Sequence, residues 1–161
     1  MLKKEGYTIT EIAYVIKQVL LALAYLHGEN AIHRDVKVDN ILVNAIDPDP
    51  CLGPRIKLAD FGFTKYVGED EKERTVLGTR LCMAPELVNK VPYDNKVDIW
   101  AVGVLAYYLL TYGHYPFPGI TKEVVDNKIK NAAPEMGLLE NTACPDLAKK
   151  FILKCLNKDF E

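Results

Sequence analysis

The chain has 161 residues, 49% of them hydrophobic, with a formal net charge of −2 and a pI near 5.9. That is room for one compact domain with a real core. The mild acidity argues against a nucleic-acid-binding surface.

Taken in chain order, Thr8-Ile9-Thr10-Glu11 has the Thr-x-x-Glu form of a capping box. Ile12, Val15, Ile16, Val19, Leu20, Leu23 and Leu26 then recur at helical spacing, and Gly28 supplies a stop. Next comes Ile32-His33-Arg34-Asp35-Val36-Lys37-Val38-Asp39-Asn40, followed twenty residues after Asn40 by Asp60-Phe61-Gly62. Ile41-Leu42-Val43 and Ile56-Lys57-Leu58 are short β-prone runs, and the connection between them is polar and broken by prolines, which predicts a hairpin. In an antiparallel pair the start of one strand lies beside the end of the other. Asn40 and Asp60 are therefore expected at one sheet edge, fed by the loop that carries Asp35 and Lys37. The chemistry of the set suits phosphoryl transfer. Asp35 can accept a hydroxyl proton, Lys37 can neutralise a moving phosphate, and Asn40 and Asp60 offer hard oxygen ligands for Mg²⁺.

Gly68 to Arg74 is rich in charge and reads as a solvated loop. Asp94-Asn95 can cap a second helix running to about Tyr112, apolar nearly all round and so expected to be buried on every side. Asp98 lies in its first turn, an expensive place for a carboxylate unless it is hydrogen-bonded. Thr121 is a candidate cap for a third helix to about Lys130. Cys144-Pro145-Asp146 opens a fourth, with Pro145 at the first helical position and Leu147, Phe151, Ile152 and Cys155 on one face. The longest apolar run, Ile99 to Leu110, falls short of the ~20 residues that cross a bilayer. The four cysteines (Cys51, Cys82, Cys144, Cys155) show no metal-ligand spacing and are expected as free thiols. No basic-then-apolar leader opens the sequence, so a cytoplasmic or nuclear location is the expectation, with no membrane partner.

His33-Arg34-Asp35, Asp60-Phe61-Gly62, Ala84-Pro85-Glu86, Asp98-Ile99-Trp100-Ala101-Val102-Gly103 and Gly113-His114-Tyr115-Pro116-Phe117 stand in the order of a known signature set. Through these five motifs the chain resembles the eukaryotic protein kinase superfamily, serine/threonine type, over nearly its whole length. The resemblance implies an α+β, mainly α-helical fold: a kinase-like C-terminal (large) lobe whose small β-hairpin carries the catalytic site. No Gly-x-Gly-x-x-Gly and no Val-Ala-Ile-Lys strand occurs, so the N-terminal lobe is expected to be absent, and 1–161 is read as a partial kinase domain that also lacks the last helix. Such a fragment is expected to bind ATP weakly and catalyse poorly.

By the same resemblance Asp35 is the catalytic base or hydroxyl-orienting residue and Lys37 contacts the γ-phosphate. Lys37, Asp39, Asn40, Leu42 and Asp60 are the cofactor-binding set, with Asn40 and Asp60 on Mg²⁺ and Leu42 beneath adenine. Asp98 accepts amides of the catalytic loop. His33 and Phe61 stack in one apolar column, while Leu105 and Leu109 support Leu42. Thr75 is the candidate activating phosphosite, set by an upstream kinase, with Arg34 and Lys65 as its cationic partners. Thr79 positions the substrate, a protein Ser or Thr hydroxyl. Tyr108, Cys82 and Arg80 depart from the family's usual acid, aromatic and proline or small residue. Glu86 is expected to lack its arginine partner. A non-catalytic docking module and an unrelated small-molecule phosphotransferase are the competing readings.

Overall fold

The computed structural model describes residues 7–44, 53–66, 80–140 and 144–158. Helix α1 (Ile9–Gly28) begins at the expected capping box: Thr8 Oγ1 accepts the Glu11 amide at 3.2 Å, and Glu11 Oε2 takes the Thr8 amide at 2.7 Å. Gly28 remains inside the helix, and the chain turns two residues later at Asn30, whose φ of 58° an asparagine tolerates better than most residues. The predicted stripe is buried at Ile12, Val15, Ile16, Val19 and Leu23. Leu20 and Leu26 are only half-covered. Among the described residues α1 is the one helix long and apolar enough to span a bilayer, with a mean hydropathy of 1.6. Its buried stripe packs on the core, which takes up only 28% of that apolar stretch.

Among the described residues four short strands form two ribbons. Strands β1 (Ala31–Ile32) and β4 (Lys65–Tyr66) pair antiparallel, as do β2 (Ile41–Asn44) and β3 (Arg55–Leu58). The second is the predicted hairpin, in the register Ile41↔Leu58 through Asn44↔Arg55. Gln18 ties it to α1. Its Oε1 takes the Ile56 amide at 3.0 Å, and its Nε2 donates to the Pro54 carbonyl at 3.0 Å. A polar side chain at the edge of an apolar stripe thus supplies the bonds that the exposed edge of β3 lacks.

The centre is α3 (Lys96–Leu110), buried at nearly every position from Val97 to Leu110. Such a helix needs partners all round, and α1, α6 (Asp146–Cys155) and the turn at Arg80–Cys82 provide them. At Gly103 a Cβ would meet the Cys155 Cβ at 2.6 Å, so the α3–α6 contact is closer than any side chain allows. Helices α2 (Pro85–Asn89), α4 (Lys122–Asn131) and α5 (Gly137–Glu140) complete the chain. Thr121 caps α4 as expected. Two expectations for α6 are corrected. Pro145 is the residue before the helix, not its first. Leu147 is 79% exposed, on the rim of an apolar groove of about 720 Å³ between α1, α3 and α6, while Ile152 alone on that face is fully buried. The described cysteines, Cys82, Cys144 and Cys155, are free. Cys51 lies outside the described residues.

Candidate active site

The loop after β1 is shaped by Asp98. This carboxylate is fully buried, and its oxygens take the His33 amide at 2.9 Å and the Arg34 amide at 2.8 Å, with His27 Nε2 2.8 Å from Oδ2. Arg34 sits at φ 67°. For a residue with a Cβ that left-handed conformation costs roughly 1 kcal/mol, and the two amide bonds hold it there. The bend turns Asp35 inward. The Arg34 side chain runs the other way, Nε donating to the Phe63 carbonyl at 2.6 Å and Nη1 to the Tyr93 hydroxyl at 2.9 Å.

Asp35 is 4% exposed and heavily solvated by side chains instead of water. Lys37 Nζ donates to its Oδ2 at 2.7 Å, and Asn40 Nδ2 donates to that same oxygen and to the Asp35 carbonyl, each at 2.8 Å. Val38–Asn40 is a one-turn 3₁₀ helix, which brings Asn40 back over Asp35. With the Asn40 Nδ2 committed to Asp35, the side-chain Oδ1 is the atom that could meet a cation. Asp39, one step earlier, is exposed.

Asp60 reaches the same edge from β3. The Ala59 amide donates to the Asn40 carbonyl at 2.8 Å, and His33 Nε2 lies 3.2 Å from the Ala59 carbonyl. Asp60 is exposed, in the left-handed region at φ 64°, and its Oδ1 takes the Gly62 amide at 3.2 Å. His33 is the hub. Its burial pushes the imidazole below its usual range, although the charges of Asp98, Asp35 and Asp60 all pull the other way. Among the described residues no three His, Cys, Asp or Glu side chains form a ready metal cage. Asn40 and Asp60 carry hard oxygens of the type that binds Mg²⁺, and they are the residues at this edge that could hold it.

Asp35, Lys37, Asn40 and Asp60 therefore converge at one sheet edge, with Arg34 adjoining. Lys65 lies in β4 opposite Ile32. Thr75 and Thr79 fall outside the described residues. Leu42 is 56% exposed and Phe61 54%, so the expected packing of both is incomplete. Phe61 meets His33 edge-on, centroids 5.2 Å apart at 63°, instead of stacking flat. Leu105 and Leu109 are buried as expected. Sequence reasoning missed His27, Gln18 and Tyr93. The only signal for them was a polar group next to an apolar stripe or a predicted turn.

Glu86 stands in α2, 6% exposed, and its Oε2 has no hydrogen-bond partner among the described residues. Burial raises its carboxyl pKa, against a smaller pull from its own amide. A raised folded-state value means that the stability it leaves intact below the ordinary carboxylate range is lost as pH climbs through the folded pKa. Glu86→Gln is accordingly expected to gain about 1–2 kcal/mol at pH 7 and nothing near pH 4 in denaturant melts.

The protein kinase domain model matches residues 1–161, and the chain belongs to that family. It is 39% identical over 120 residues to the human Serine/threonine-protein kinase D2, covering 74% of this chain and 13% of that protein. It is 37% identical over 161 residues to the Dictyostelium discoideum Serine/threonine-protein kinase pakB (94% and 17%). Myosin light chain kinase A of the same organism is 34% identical over 159 residues (99% and 52%). The chain thus spans about half or less of the length of these relatives. The helix-rich, small-sheet architecture agrees with membership.

Proposed function

We propose that the chain is the large, C-terminal lobe of a protein serine/threonine kinase, which transfers the ATP γ-phosphate to Ser or Thr hydroxyls of protein substrates. The observation that carries this is the Asp35 carboxylate, buried yet bonded at once to Lys37 and Asn40, at the end of a loop pinned by Asp98. A binding module has no need of that arrangement, which disfavours the alternative of a non-catalytic docking role. Asp35 orients the acceptor hydroxyl and takes its proton, while Lys37 lies against the transferring phosphate. Asn40 and Asp60 hold Mg²⁺, and Asp39 flanks them. Bound there, the cation neutralises charge on the phosphate oxygens. Leu42, an exposed apolar side chain next to the site, receives the adenine ring.

Thr75 accepts an activating phosphate from an upstream kinase, read by Arg34 and Lys65, and Thr79 lines the acceptor side. The protein works in the cytoplasm or nucleus on protein partners, with neither nucleic acid nor membrane required. Titration of Mg²⁺-ATP against the wild-type chain and Asp60→Ala tests the metal role. The variant is expected to bind about 10–100-fold more weakly, with the difference vanishing in EDTA. Equal, Mg²⁺-dependent binding by both would contradict it.

A further inference from the structure

One ion pair stands outside the chemistry described so far and bears on how a peptide is received. Arg80 opens the one-turn helix Arg80–Cys82, just after Thr79. Its Nε and Nη2 donate to the two carboxylate oxygens of Asp126 in the middle of α4. The side chains are only 21% and 20% exposed. A planar guanidinium bonded twice to one carboxylate fixes direction as well as distance, which a lysine cannot do.

The other end of the same short segment reaches the reaction centre. Cys82 and Met83 line one small pocket with Arg34, Asp35 and Val36. Cys82 lies within electrostatic reach of Asp35, Lys37 and Asp39, and burial pushes its thiol up to about 12, so it serves as a packed wall and not as a nucleophile. Residues 80–83 therefore form a strap, with one end against the catalytic carboxylate and the other tied to α4. Asp126 has Lys122 and Lys130 four residues to either side, on the same helical face. Hydrogen bonds from Arg80 are the chief reason its carboxyl is held below the usual range, with both lysines adding to the effect.

We infer that the Arg80–Asp126 pair positions the acceptor-peptide strap beside Asp35, making Arg80 a positioning residue that sets peptide affinity. This rests on the kinase reading above. The tie depends on an arginine where the family resemblance leads one to expect proline or a small residue. The charges around it predict an asymmetry. Arg80→Ala leaves Asp126 between two lysines, still paired. Asp126→Ala leaves Arg80 facing two cations, so the strap is actively repelled.

Steady-state phosphotransfer to a serine peptide, run on the full-length protein, reads the effect. Arg80→Ala is expected to raise the peptide KM about three- to tenfold with kcat and the ATP KM unchanged, Asp126→Ala to raise it further, and Arg80→Lys to fall between. The exchanged pair Arg80→Asp with Asp126→Arg should return toward wild type. An unchanged peptide KM, a parallel fall in kcat, or no recovery in the exchanged pair would overturn the inference. Wild-type protein that is folded but transfers no phosphate would sink the parent reading instead. The tie is then decided by amide exchange on this chain: faster exchange over 80–84 in both single variants, reversed in the exchanged pair, supports it, and unchanged exchange overturns it.

Discussion

Replacing Asp98 by alanine is expected to lower stability by about 3–5 kcal/mol, the range for breaking a buried, hydrogen-bonded charge network. Two consequences add. The His33 and Arg34 amides lose the oxygens they donate to, at about 1–3 kcal/mol for each donor left buried. Arg34 also loses what holds it at φ 67°, so the loop relaxes toward ordinary backbone angles and Asp35 moves off its place beside Lys37 and Asn40. Urea melts of the two proteins would show a midpoint lowered by about 1–3 M at unchanged slope. Asp98→Asn keeps one acceptor oxygen but turns an N–H toward the other donor, and belongs between wild type and alanine. A loss under ~1 kcal/mol for alanine would mean that the β1–β4 ribbon sets the loop shape alone.

The same carboxylate shows how far the sequence could be read. A charge in the first turn of an all-apolar helix must find donors, so its burial in a hydrogen-bond network followed from the pattern. That the donors belong to residues sixty-odd positions earlier came from family resemblance, because nothing local couples them. His27, the third partner, had only its place beside the apolar stripe of α1 to mark it. The hairpin was legible because β-prone runs and proline breaks are local signals, and its register then forced Asn40 and Asp60 to one edge.

What stayed hidden depended on tertiary neighbours. Strands β1 and β4 are two residues each, too short for any periodicity to mark. Leu147 belongs to the apolar face of α6 by spacing, yet spacing only says which residues share a face, and in the fold a groove separates that one from α1. The Arg80–Asp126 tie joins segments forty-six positions apart, and charge composition in α4 gave no reason to prefer Asp126 over its neighbours.

Asp35→Asn is expected to cost phosphotransfer most, about 10²–10⁴-fold in kcat, the span assigned to a positioned general base. The substitution conserves volume, and the Asp35 carbonyl still accepts from Asn40 Nδ2, so the fold should hold within about 1 kcal/mol. What changes is the atom facing Lys37 and the acceptor. An amide can present its oxygen to Lys37 Nζ, 2.7 Å away in the native protein, or turn that oxygen elsewhere, but it cannot take a proton. Mg²⁺-ATP affinity, which the proposed function assigns to Asn40 and Asp60, should then move by less than about threefold. A fall in kcat with ATP and peptide KM preserved places Asp35 on the acceptor hydroxyl in the transition state. A loss of ATP affinity of the same size as the loss of rate would instead assign its charge to holding the nucleotide, and the proton would have to leave by another group.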